Sequence, residues 1–211
     1  MSGRPGILAR LRAILAGVAI TGLLTGCSVL GGAEVLDVYE LRPPADLPIS
    51  TAAPLRREVI VELPSTTGPL ETDRIMIRPD PIQAQYLPGV RWGEETPIMV
   101  QSLMLRSLSA TDGVLFVGRR PLGSGGDFAL VTDLVDFQAE VRGGEVVARI
   151  SIDVRMVRER DVAIVAAQSF SAEATAAGDS NDQIIAAFNT ASDAVLQDFT
   201  RWTLARLGRP L

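Results

Sequence analysis

Cys27 is the only thiol of the chain, and its neighbours single it out. Leu24, Thr25 and Gly26 stand directly before it, a branched aliphatic followed by two small residues. Upstream, Ile14 to Leu24 carries no charge, and Arg4, Arg10 and Arg12 flank that run. A helix that spans a bilayer needs about 20 apolar residues, so the run is too short to cross and suits the core of a secretory signal. A thiol can take a diacylglyceryl group as a thioether. Small residues before it let a peptidase reach the backbone, and cleavage at that point frees the Cys27 amine for a further acyl chain. The competing reading is a buried cysteine that happens to follow a hydrophobic stretch. Two acyl chains already anchor a protein stably, at about 0.8 kcal/mol per buried methylene.

The rest of the chain offers little for catalysis. All 20 basic side chains are arginine, with no lysine and no histidine. No Ser-His-Asp or Cys-His arrangement, His-ligated metal site, Schiff-base lysine or P-loop lysine can therefore be built. The formal charge is −5. Past residue 26 the chain holds 17 arginines and 25 acids, which argues against nucleic acid as a partner. Glu94-Glu95 reads as a polar turn before a helix. Gly123-Ser124-Gly125-Gly126 is followed by no lysine and reads as a strand connection. Asp179 and Asp182 lack calcium-loop spacing and suit a helix N-terminus. Phe188, Phe199 and Trp202, like Met99 and Met104, read as core. One constellation stays open. Leu70 to Arg78 leads into Gln85-Tyr86 and then Val90-Arg91-Trp92. Tyr86, Arg91 and Trp92 form either a structural anchor, with Trp92 between sheet and helix and Arg91 on a carboxylate, or a partner-binding surface, since tryptophan and arginine dominate interface hot spots.

The elements that hold these residues follow from periodicity. Residues 1–26 read as the signal peptide, 27–34 as a lipidated tether and 35–211 as one domain, long enough for a substantial core. Strands are expected at 35–41, around Val59 to Leu63, at 74–78, 82–86 and 113–118, and at 162–174. Arg42 to Pro54, with four prolines, is a connector. Gly143-Gly144 between two alternating runs, 129–141 and 145–157, is a hairpin signature. In the second run Val146, Ala148, Ile150, Ile152, Val154 and Met156 share one face, opposite Arg149, Ser151, Asp153 and Arg155. Thr96-Pro97 signals a helix start, with Thr96 as the cap and Pro97 first in the helix, and that helix runs to about Ser109. Ser180-x-x-Gln183 is a capping box for a long final helix, ended by Gly208 and Pro210. The expected fold is α+β: a two-layer, largely antiparallel twisted sheet with two helices packed on one face.

Leu24 to Cys27 resembles the lipobox of bacterial lipoproteins. Over residues 35–205 the chain resembles the ABC-type transport auxiliary lipoproteins, the PqiC-like family. The motifs are Tyr39-Glu40-Leu41, the Leu70-x-Thr72-x-Arg74-Ile75 run, the Arg91-Trp92 step before a helix, Val135-x-Phe137, and a terminal helix with Asn189 and Trp202. The family more often has Tyr-Tyr where this chain has Gln85-Tyr86, and Trp-Ala where it has Trp92-Gly93. The resemblance implies a non-catalytic lipoprotein of a mammalian-cell-entry (MCE) type transport system moving lipid between inner and outer membrane. It implies no cofactor and no metal, only the covalent diacylglycerol and N-acyl chain on Cys27. The implied partners are a periplasmic MCE-domain protein, through it an ABC permease and ATPase, and the membrane itself; self-association is left open. It places the protein in a Gram-negative envelope, with Ser28 after the lipidated position leaning to the outer membrane, facing the periplasm. The alternative is a periplasmic lipoprotein that holds a lipid in its own apolar pocket.

Overall fold

The computed structural model describes residues 35–47, 49–123 and 125–208. The signal segment, Leu24, Thr25, Gly26, Cys27 and the tether lie outside the described residues, as do Ser124 and Pro210.

The described residues form eight strands and two helices in the order β1 (Asp37–Tyr39), β2 (Leu55–Val61), β3 (Arg74–Asp80), β4 (Gln83–Trp92), α1 (Thr96–Ser109), β5 (Val114–Gly118), β6 (Phe128–Arg142), β7 (Glu145–Arg158), β8 (Ala163–Thr175) and α2 (Asn181–Arg206). A single 3₁₀ turn, Gly68–Leu70, precedes β3.

The long strand β6 is the spine of one forked sheet. Along one edge it pairs antiparallel with β7 from Phe128↔Arg158 to Arg142↔Glu145. Gly143 and Gly144 close that hairpin at φ +61° and +91°, the backbone that glycine adopts without steric cost. Along its other edge β6 is shared by two strands in succession. β2 runs parallel to Phe128–Leu130, Ser65 bridges Asp133, and β3 joins at Ala139 and Glu140. β5 adds parallel outside β2, whereas β4 adds antiparallel outside β3 and β1 parallel outside β4. β8 lies antiparallel on the far side of β7. The fold is α+β, with a mixed sheet whose two longest ladders are antiparallel and whose parallel pairings are short. Parallel neighbours need long crossover connections: the chain from β1 to β4 includes the proline connector, and the chain from β2 to β5 includes α1.

β6 also contains a bulge that periodicity alone does not announce. Its register shifts between Leu134 and Asp136, leaving Val135 unpaired and half exposed. Before the bulge the even residues Leu130, Thr132 and Leu134 are buried; after it the odd residues Phe137 and Ala139 are. The extra residue turns the strand so that Asp133 and Asp136 share the outer face.

Both helices cover the other face. α2 lies on β7 and β8, α1 on β2 and β5, and the helices touch each other. On β7, Ala148, Ile150, Ile152, Val154 and Met156 are buried, and they join Met104, Phe188 and Phe199 in one core. The final helix starts as its capping box demands. Ser180 Oγ accepts from Gln183 N at 3.4 Å and donates to Gln183 Oε1 at 2.9 Å. The first helix starts differently from expectation. Thr96 is its first residue rather than its cap, Glu95 occupies the cap position, and no side chain caps it. The Thr96 hydroxyl is committed elsewhere: it donates to Thr72 O at 2.9 Å, and Thr96 N donates to the same carbonyl at 2.9 Å.

Candidate functional site

Trp92 ends β4 and is 1% exposed. Its ring meets Phe137 of β6 edge-on at 5.9 Å and Phe188 of α2 edge-on at 5.4 Å, while Phe137 and Phe188 stack at 5.4 Å. These geometries suit ring quadrupoles and add to the burial. The tryptophan therefore joins the sheet to the final helix, and no face of it reaches a partner. Arg91 points the other way. Its Nη1 donates to Asp73 Oδ2 at 3.1 Å and to Trp92 O at 3.2 Å, and the pair stays partly open to solvent. Tyr86 is 39% exposed; its hydroxyl donates to Pro69 O at 3.1 Å, and the Arg74 guanidinium sits 5.8 Å from its ring centroid.

The Leu70–Ile75 run explains itself through these contacts. Leu70 and Ile75 are buried. The Thr72 carbonyl holds the start of α1, and its hydroxyl accepts from Arg74 N at 3.3 Å. Asp73 carries Arg91 on its side chain and accepts Trp92 N on its carbonyl at 2.7 Å. Midway along β4, Pro88 O accepts from Asn181 Nδ2 at 3.1 Å, and Tyr39 of β1, paired in register with Trp92, donates its hydroxyl to Asp182 Oδ1 at 2.5 Å. That bond to a carboxylate raises the Tyr39 hydroxyl above its usual range. Tyr39, Thr72 and Trp92 thus clamp strands to helices, while Arg91 ties the end of β4 to the start of β3.

The outer face of the sheet holds what sequence reasoning left unresolved. Arg149 bridges Asp136 Oδ2 at 2.9 Å and Glu173 Oε1 at 2.9 Å. Arg142 reaches Glu140 at 2.5 Å and Glu173 at 2.8 Å. Arg155 pairs with Asp133 at 2.8 Å. Gln138, itself buried, donates through Nε2 to Asp136 and Glu140 at 2.9 and 3.0 Å. A hydrogen bond from Ser65, together with Arg155, holds Asp133 below the usual carboxylate range; Arg142 and Arg149 do the same for Glu173. Exposed pairs contribute about 0–1 kcal/mol each, so this lattice orders a surface more than it stabilises a fold.

Between the β3–β4 turn and the ends of β6 and β7, that surface dips into a cleft of about 370 Å³, lined among others by Arg78, Asp80, Gln138, Arg142 and Arg149. Arg78 is the lining arginine whose guanidinium has no hydrogen-bond or ion-pair partner among the described residues. The signal for this face was present as the spacing of Asp133, Asp136, Gln138 and Glu140 against Arg149 and Arg155, but only the bulge at Val135 brings the acids to one side.

Between the two helices and the middle of the sheet the described side chains pack closely. The void bordered by Val100, Leu103, Met104, Phe137, Ile150, Val195 and Leu196 measures about 10 Å³. A single water needs roughly 10–15 Å³ by this measure, so a lipid chain does not fit.

A family model described as the ABC-type transport auxiliary lipoprotein component matches residues 39–199. Two crystal structures share the fold. A Xanthomonas campestris protein of the DUF330 family aligns with a TM-score of 0.72 at 21% identity, covering 81% of this chain and 96% of its own. An uncharacterised protein aligns with a TM-score of 0.64 at 16% identity, covering 81% of this chain and 99% of its own. No curated protein sequence matches significantly.

Proposed function

The chain belongs to the ABC-type transport auxiliary lipoprotein family, and on that premise we propose that it is the non-catalytic, lipid-anchored adaptor of an MCE-type transporter. Cys27, acylated, holds the domain on the periplasmic side of the outer membrane of a Gram-negative envelope. The domain docks onto the MCE-domain protein that carries lipid between the membranes, and through it onto the permease and ATPase. The family match from the last residue of β1 through most of α2 carries the reading. The close packing between the helices and the sheet favours an adaptor over a carrier, because the alternative needs an apolar pocket between helix and sheet and the void among Val100, Met104, Phe137 and Leu196 is about 10 Å³. The outer face supplies the docking surface, with Arg78 as a guanidinium still free to take an acceptor from the partner.

Co-purification tests this. Detergent-solubilised wild-type protein is expected to bring down an MCE-domain subunit, and Arg78→Ala to reduce the yield without lowering thermal stability. Failure of the wild-type protein to capture any MCE subunit under crosslinking conditions sinks the proposal.

A further inference from the structure

Pro79 and Pro81 bracket Asp80 where β3 gives way to its turn into β4. Each proline holds its own φ at about −65°, which stiffens the turn. A side chain then closes it: Asp80 Oδ1 accepts from Ile82 N and from Gln83 N, both at 2.9 Å. The second carboxylate oxygen, Oδ2, has no hydrogen-bond partner among the described residues. Arg78 stands two residues earlier, about 7 Å away along the strand. Both side chains border the cleft on the outer face, yet they do not pair with each other, because Asp80 is folded onto its own turn.

That cleft, at about 370 Å³, has the volume of a small-ligand site. Six charged side chains line it, three of each sign, and four of them are spent. Asp136 takes Gln138 on one oxygen and Arg149 on the other. Glu140 takes Gln138 on one oxygen and Arg142 on the other. Gln138 is used up as well, since its Oε1 accepts from Phe137 N at 3.0 Å. One guanidinium and one carboxylate oxygen are left over, opposite in sign and held apart.

We propose that this cleft binds a small zwitterion, with an oxyanion on Arg78 joined by a short link to a primary ammonium on Asp80. The charge balance selects the ligand. The lining is neutral as a whole, so a plain anion or cation leaves a net charge in the cleft and a zwitterion leaves none. A planar guanidinium donates to two oxygens of a carboxylate or phosphate, and an ammonium donates to the free oxygen of Asp80. Two prolines and two backbone hydrogen bonds already fix Asp80, so binding has little of that side to order. Pro81 and Val141 offer an apolar wall to the link. Free amino acids and the aminoalkyl phosphodiester head of a lipid share this chemistry. The inference goes beyond the adaptor reading and does not rest on it, since binding is read on the chain alone. Where both hold, ligand and partner compete for Arg78.

Ligand-observed NMR titrations of the full-length protein in a maltoside detergent test this. Glycerophosphoethanolamine stands for the lipid head and β-alanine for the free amino acid, while dimethyl phosphate and ethanolamine each carry one of the two charges. At least one zwitterion is expected to bind saturably, at least ~10-fold more tightly than either single-charge probe. The tighter of the two zwitterions identifies the source. Arg78→Ala and Asp80→Asn are each expected to weaken that binding at least ~10-fold with an unchanged melting temperature. The asparagine keeps the Oδ1 acceptor that closes the turn and removes only the charge. Dimethyl phosphate binding as tightly as the zwitterions overturns the proposal. So does the absence of binding by both zwitterions, or full affinity in Asp80→Asn.

Discussion

Asp193 of α2 shows how a single carboxyl can work against the fold that holds it. Burial and then the nearby charge of Asp46 raise its pKa, and Asn189 Nδ2, at 3.3 Å, is its one hydrogen-bond donor. The sign follows from proton linkage. With its folded pKa above its unfolded value, the native state holds the proton over a window just above pH ~4, and stability falls as pH rises through that window. At neutral pH the charged form costs the fold. Asp193→Asn keeps an acceptor for Asn189 and is expected to raise stability at pH 7 by a few tenths of a kcal/mol, the group being partly screened by solvent. Urea denaturation at pH 7 and at pH 4 reads this directly; a gain that persists undiminished in acid contradicts the argument. Asp133 and Glu173 have the opposite sign. Their pKa values are lowered, so the stability they supply is present above the ordinary carboxylate range and is lost as pH drops through their folded values.

At the scale of elements, turns and bulges decide what the strands present. The bulge at Val135 gathers two aspartates where an unbroken alternation would send one of them into the core. The β7–β8 turn carries the opposite kind of feature. Val162 sits at φ +53° and is 80% exposed, a left-handed backbone that a β-branched residue adopts at a cost. Asparagine tolerates that conformation, and the Val162 side chain has little packing to lose. Val162→Asn is therefore expected to stabilise the protein by about 1 kcal/mol, read as a rise in the urea midpoint with an unchanged slope. A lower midpoint means that the valine is held by something other than its own turn.

Residues 36–208 form one packed unit, and neither helix covers the outer face of its sheet. One core cluster runs from Leu41 to Phe199 and binds both helices to the sheet. A domain of this size has a radius of gyration of about 16 Å, too small to bridge two membranes, so the proposed function requires an extended partner across the gap. On the proposed function, residues 28–34 serve as a tether that would reach roughly 20 Å if extended. Cys27→Ala is accordingly expected to move the protein from the membrane fraction to the soluble fraction. Native mass spectrometry of that soluble form is expected to show the bare polypeptide mass; a stoichiometric lipid adduct would favour the carrier reading.

The sequence by itself determined the order and type of the elements, because each is a short-range signal. Gly143-Gly144 demands a turn, Ser180 with Gln183 opens a helix, and alternation from Val146 to Met156 marks a half-buried strand. The absence of histidine and lysine is equally legible, and it excludes whole classes of chemistry before any folding. What only the tertiary structure decided depends on residues far apart in the chain. Which strand lies parallel beside β6, where Val135 breaks the register, and that Thr96 answers to Thr72 instead of capping its own helix are all set by long-range pairing. The fate of Trp92 belongs there too. Its place beside Arg91 and a helix start fits an anchor or an exposed hot spot equally well, and only Phe137 and Phe188, 45 and 96 residues further on, close over it.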